Sequence, residues 1–287
     1  MGRRTDALTA EVHYCAMDRS RTPKPKKIMP GEPRGAPPPR GNLLLEALDE
    51  PERQQFIARC ESVELTFSEV LCEKNEHMPY VYFPTTSFVS LISSLDGGHS
   101  LEVGLVGREG MLGASLLLGV NAAPLKAIVQ GTGHALRMDS AQFARQIARS
   151  PALAEGFRRY VYVLVSQLAQ MAACTRFHVV EERVARWLLM TRDRASSDVL
   201  YLTQDFVASM LGVRRAGITR AATMLKKRKL IRYSRGNVYI LDRRGLEAAS
   251  CECYSTATQT YARVMEPAGL ALPARAQAPG AATPRHK

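Results

Sequence analysis

The region from Val199 to Ala248 carries eleven Lys/Arg (Arg214, Arg215, Arg220, Lys226, Lys227, Arg228, Lys229, Arg232, Arg235, Arg243 and Arg244) against Asp205, Asp242 and Glu247. Such a density attracts a phosphate backbone, but charge alone gives only sequence-blind binding. The spacing is more specific. Thr203 can cap a helix that begins at Gln204, with Asp205 in its first turn. Ala208, Gly212 and Ile218 follow at offsets of four and six, framed by Val207, Leu211, Val213 and Ala221. A small residue at Ala208 lets two helices cross closely, Gly212 admits a left-handed turn, and Ile218 wedges the second helix onto the first. This is helix-turn-helix spacing.

The second helix, expected over residues 215–229, presents Arg214, Arg215, Thr219 and Arg220 to a DNA major groove, with Thr203 and Gln204 beside them and Lys226 placed for phosphates. Two alternating runs over residues 230–241, turning at Arg235-Gly236-Asn237, read as a β-hairpin wing with Arg235 at its tip. A winged helix-turn-helix that binds double-stranded DNA is the expectation.

Other reactive residues make weaker cases. Cys174 and His178 lie one helical turn apart with Glu181 near, spacing that would suit a thiol and its base, yet no Gly-rich oxyanion or phosphate loop accompanies them. The six cysteines contain no Cys-x-x-Cys, and Cys251-Glu252-Cys253 offers only two ligands, so these read as packed or exposed tail thiols. His77, His99 and His134 have no supporting motif. No catalytic residue, metal site or cofactor is expected.

The elements that must position the basic segment can be read from texture. The chain has 287 residues, 46% apolar and 23% charged, with a formal net charge of +12. Collagen, low-complexity disorder and disulfide scaffolds are excluded, and polyanionic partners are favoured. Residues 1–41, with nine Lys/Arg and repeated prolines, read as a disordered basic arm. No apolar run follows Arg3-Arg4, and the longest apolar stretch, residues 111–120, is far too short for a bilayer, so a cytoplasmic protein without membrane contact is expected. From Asn42 a short helical hairpin leads into β-rich runs near residues 63–67, 80–83, 88–92, 101–106, 127–130 and 135–138, punctuated by glycine turns. Residues 42–150 therefore read as an antiparallel β-roll.

After Ser150-Pro151, Phe157, Val161, Leu164, Leu168, Met171 and Thr175 recur in steps of 4, 3, 4, 3 and 4, a heptad seam expected to pair two copies through residues 151–178. Residues 179–250 hold the winged domain, and residues 251–287 read as a largely disordered tail. The fold class is α+β.

This order of roll, long helix and winged reader resembles the Crp/Fnr family of bacterial transcription regulators over roughly residues 42–250. The likeness is clearest in residues 103–113, around Gly107-Arg108-Glu109-Gly110, and in residues 202–231. It implies a homodimer on a two-fold operator, RNA polymerase as a partner, and a small-molecule effector in the roll. Members reading DNA through Arg-Glu-x-x-x-Arg are matched here by Arg215, Ala216 and Arg220: both arginines are present and the glutamate is not. A different operator follows, because an acceptor for cytosine N4 is lost. Cyclic-nucleotide members hold ribose with Glu and phosphate with Arg, where this chain has Gly113-Ala114-Ser115 and Leu125-Lys126-Ala127. A lone Lys126 is a poor substitute for a guanidinium fork, so the effector is not expected to be cyclic AMP and stays unidentified. A different class of function, a ligand-binding or interaction module whose basic domain docks an acidic protein, shares the same charge pattern.

Overall fold

The computed structural model describes residues 41–96, 99–234 and 236–265. Two short helices, α1 (Leu43–Glu46) and α2 (Glu50–Ile57), open it. Asn42 begins α1 and is almost fully buried. Its amide donates to the Pro84 and Gly110 carbonyls at 2.9 and 2.8 Å, and its Oδ1 accepts from Leu44 and Leu45 backbone N–H. All its hydrogen-bonding capacity is used, which is what allows an amide to sit in a core.

Seven antiparallel strands follow: β1 (Glu61–Leu65), β2 (Val70–Cys72), β3 (Tyr80–Pro84), β4 (Phe88–Ser94), β5 (Ser100–Val106), β6 (Lys126–Gly131) and β7 (Gly133–Asp139). They form two sheets, ordered β1-β7-β3 and β2-β6-β4-β5. Register shifts in β4, at Phe88/Val89 and Leu91/Ile92, bend it where it carries partners on both edges. Leu65, Tyr82, Val89, Val106, Ala127 and Val129 pack between the sheets. The expected roll is present, with β2 as a strand that the sequence reading had not marked.

Helix α3 (Ser140–Arg149) leads into α4 (Pro151–Phe177), whose N-cap Ser150 accepts from Leu153 N–H and whose Pro151 is pre-set for a first turn. Four phenylalanines lock this region: Phe56 of α2, Phe83 of β3, Phe143 of α3 and Phe157 of α4 sit with ring centroids 5.4–6.3 Å apart. Gly110 lets Tyr160 of α4 seat against the roll, because a Cβ there would meet the Tyr160 hydroxyl at 2.0 Å. The expected dimer seam needs correction here. Phe157 is completely buried and Met171 nearly so, both inside their own protomer. Val161 and Leu164 are half-buried, Leu164 against the roll core. The exposed stripe of α4 lies one residue further along, at Tyr162, Val165, Leu168, Ala169 and Ala172.

The C-terminal part comprises α5 (Val180–Ala195), β8 (Val199–Tyr201), α6 (Gln204–Leu211), α7 (Arg215–Lys227), β9 (Ile231–Ser234), β10 (Asn237–Ile240), α8 (Arg243–Ala249) and α9 (Cys253–Met265). The three strands form a sheet ordered β8-β10-β9. The expectation of a largely disordered tail from residue 251 is corrected by α9, which packs along α4 and places Tyr261, Val264 and Met265 against the phenylalanine core. Tyr254 anchors its start by donating to Asp193 Oδ2 at 2.6 Å while Arg243 bridges the same carboxylate. The expected arm (residues 1–41) lies outside the described residues apart from Gly41, as does the chain after Met265. Among the described residues no helix is long and apolar enough to cross a membrane.

Roll and C-terminal part meet at Glu102 of β5, which accepts from Trp187 Nε1 of α5 at 2.8 Å and from Ser90 Oγ at 2.7 Å. Arg194 of α5 adds an ion pair to Glu109 at 2.6 Å. Burial pushes the Glu102 carboxyl up to about 7, against the pull of those two hydrogen bonds and of the Arg194 and Arg186 charges.

Two outcomes are expected. Phe157→Ala should lower the unfolding free energy by about 3–5 kcal/mol in denaturant titration, and a loss under about 1 kcal/mol would place Phe157 on a surface. Glu102 binds its proton more tightly folded than unfolded, so stability is lost as pH rises from about 4.5 through about 7. Wild type should therefore weaken relative to Glu102→Gln between about pH 5 and pH 8, by up to about 3 kcal/mol. Parallel pH profiles for the two would remove the carboxyl from this role.

Candidate nucleic-acid interface

The basic segment folds as two helices joined by a tight turn. Thr203 is the N-cap of α6, its Oγ1 accepting from Phe206 N–H at 3.2 Å, with Asp205 in the first turn to favour the positive helix end. Gly212 closes α6 with φ +60°, the left-handed conformation that glycine adopts without strain, and its N–H returns to the Ala208 and Ser209 carbonyls. Arg183 of α5, also buried, donates to the Leu211 carbonyl at 2.7 Å, so a terminal carbonyl of α6 is met by a cation. Ala208 and Ile218 are buried at the crossing of α6 and α7.

That burial fixes which face of α7 is free. Ile218, Ala221, Ala222 and Leu225 turn inward, whereas Arg214, Arg215, Ala216, Thr219 and Arg220 are exposed around the helix's N-terminal half. Thr219 Oγ1 donates to Gln204 Oε1 at 2.7 Å, and Arg215 Nε lies 3.4 Å from Asp205 Oδ1. The start of α6 and the start of α7 thus form one continuous polar surface. Thr223 extends the same row by one turn and is exposed, a member that the sequence reading passed over although it stands four residues beyond Thr219. Lys226 and Lys227 are exposed in the last turn, where cations oppose the helix dipole and reach outward.

The wing is held against this unit by its backbone. Leu202 N–H donates to the Gly236 carbonyl at 2.7 Å, the Tyr233 hydroxyl donates to the Leu202 carbonyl, and the Arg232 guanidinium lies 3.9 Å from the Tyr239 ring centroid. Arg235 lies outside the described residues. The sequence reading also lacked β8, the third strand of this sheet: three residues give no alternation to detect.

In the roll, Cys72, Met78, Leu91, Met111, Leu112 and Leu164 are among the residues lining a cavity that no Lys, Arg, Asp or Glu lines. Lys126 is paired with Glu73 at 2.6 Å. This interior suits an apolar guest better than a cyclic phosphate.

Known proteins share this fold. Residues 182–249 match the family described as the Crp-like helix-turn-helix domain. No curated protein matches the chain in sequence. Among solved structures, it is similar to FixK2 from Bradyrhizobium japonicum at 15% identity, with a TM-score of 0.58 over 67% of this chain and 98% of that one. A protein assigned to the Crp/Fnr family from Eubacterium rectale gives 16% identity and a TM-score of 0.58, over 72% of this chain and 96% of the other. CLP of Xanthomonas campestris, described as a c-di-GMP responsive global regulator, gives 14% and 0.56, over 68% of this chain and 100% of the other. At such identities the shared property is the fold. Residues 182–249 match a Crp-like helix-turn-helix domain, and the chain that carries them is similar in fold to a protein assigned to the Crp/Fnr family.

Proposed function

We propose that this protein is a homodimeric transcription regulator that binds a near-palindromic operator through two copies of α7. The carrying observation is the exposed set Arg214, Arg215, Thr219 and Arg220 at the start of a helix whose other face is buried. Thr203, Gln204 and Lys226 add contacts around it. Arginine forks read guanine O6 and N7, while lysines add sequence-independent affinity. RNA polymerase is the downstream partner, and the apolar cavity of the roll is where a small, unidentified effector acts. An effector with different affinities for two dimer geometries would shift the relative placement of the recognition helices.

Dimerisation is assigned to the exposed stripe of α4. Tyr162, Val165 and Leu168 are 56%, 59% and 37% exposed, and with Ala169 and Ala172 they line a helix face that the protomer itself leaves uncovered. The spacing of Tyr162, Val165, Ala169 and Ala172 is heptad-like, so two copies can pair along it with two-fold symmetry. Leu168 is the only member of the expected seam that is exposed.

Selection from a random DNA pool at moderate salt should return a two-fold operator with wild type. Arg215→Ala with Arg220→Ala should erase it, since each lost fork costs about 1–3 kcal/mol of discrimination. The melting temperature should hardly change, because both side chains are exposed. Sequence-blind retention by both proteins would instead favour a basic docking surface for an acidic protein. In sedimentation, Val165→Asp with Leu168→Asp should give a folded monomer, and a persisting dimer would put the interface elsewhere.

A further inference from the structure

Where α4 ends, four soft ligands that DNA reading leaves unused converge from two parts of the chain. Cys174 and His178 stand one helical turn apart at its last turn and C-cap. Cys251 precedes α9, and Cys253 is its first residue. Cys174 Sγ and Cys251 Sγ are 3.6 Å apart, Cys253 Sγ and His178 Nδ1 are 3.5 Å apart, and all four ligand atoms lie within 4.8 Å of one another. A tetrahedron built on Zn–S of about 2.3 Å and Zn–N of about 2.0–2.1 Å has edges of roughly 3.8 Å (S–S) and 3.6 Å (S–N). The 3.6 Å S–S and 3.5 Å S–N separations are close to those edges. They are far longer than the S–S bond of about 2.05 Å in a disulfide.

The surroundings point the same way. His178 turns its other nitrogen, Nε2, to Glu252 Oε1 at 3.1 Å, the outer carboxylate that orients a metal-bound imidazole and fixes its tautomer. Gln170 Nε2 donates to Cys253 Sγ at 3.0 Å, a bond suited to a thiolate acceptor. Arg186 is 3% exposed and adjoins the cluster. It makes no ion pair among the described residues, its Nη2 contacts Met171 Sδ at 3.1 Å, and its Nε has no partner. A buried guanidinium needs an anion nearby. Three thiolates around a divalent ion carry one net negative charge, which adds to the Glu102 carboxyl as a counter-charge for Arg186.

We propose that Cys174, His178, Cys251 and Cys253 bind one zinc(II) ion in a closed tetrahedral site that fastens α9 to the junction of α4 and α5. The three thiol protons pass to solvent on binding. Four protein ligands leave no open position, so the ion is structural and does not activate water. It joins the end of the dimerisation helix, the start of the DNA-binding part and the C-terminal helix at one point.

The test uses the full chain, purified reduced and without oxygen, and does not depend on DNA binding. Elemental analysis should give about one zinc per chain. After chelation, cobalt(II) should restore a blue-green, tetrahedral thiolate spectrum with sulfur-to-metal charge transfer in the near ultraviolet, and zinc should bleach it. Chelation should expose three further thiols to a disulfide reagent. Cys253→Ser should abolish the cobalt spectrum, whereas Cys60→Ser should keep it. Glu252 is exposed, so Glu252→Gln should preserve the fold while weakening zinc about 10- to 100-fold, which keeps the idea testable if ligand variants fail to fold. Less than about a tenth of a zinc per reduced chain with a featureless cobalt titration would overturn the site. So would equal spectra from Cys253→Ser and wild type.

Discussion

A helix has one circumference to share among its neighbours, and α4 has three claims on it. Its N-terminal half gives Phe157, Tyr160 and Val163 to the roll core, its flank at Gln167 and Gln170 faces α9, and the apolar stripe through Tyr162, Val165 and Leu168 stays exposed. The roll's phenylalanine cluster sets the rotation of the helix, because Phe157 cannot leave it without opening a large cavity. Everything downstream inherits that setting. The free stripe fixes where a partner can lie, and the end of the helix fixes where α5 starts and where the thiols and His178 collect.

The DNA-binding unit follows from this frame by a second set of contacts. Trp187 and Arg194 of α5 reach back to Glu102 and Glu109 of the roll, and Arg183 on the same helix reaches forward to the end of α6. One amphipathic helix thus touches both the roll and the reader. Its polar contacts on the roll side are charged or hydrogen-bonded and largely dehydrated, which makes them geometrically specific. A change in the roll that moved β5 would be felt at Trp187 before it reached α7.

The reader was the most legible part of the sequence, because its determinants are local. Thr203, Gly212 and Ile218 act within one short helix pair, and each lies where the spacing placed it. The long helix was legible in extent and period but not in phase. Two adjacent stripes share the same heptad spacing, one through Phe157, Val161 and Leu164, the other through Tyr162, Val165 and Ala169, and the more apolar one faces the protomer's own core. Helix α9 was not legible, since Ser255, Thr256, Thr258 and Thr260 are weak helix formers and the helix is held by tertiary packing. The thiol cluster was invisible for a related reason: Cys174 and Cys251 are 77 positions apart, and nothing in their local sequence joins them.

Gly212, the turn of the helix-turn-helix, faces Leu101 of β5 across a gap that leaves only 3.1 Å to an added Cβ, and Phe206 packs between Phe67 and Trp187. The roll therefore grips the reader by a backbone turn and by α6, and leaves the exposed side chains of α7 untouched. The exposed face of α7 and the contacts that hold α6 to the roll are then written in separate residues. Substitutions among Arg214, Arg215, Ala216 and Arg220 would leave that grip intact, so the exposed face of α7 is free to vary without disturbing how the roll holds the two helices.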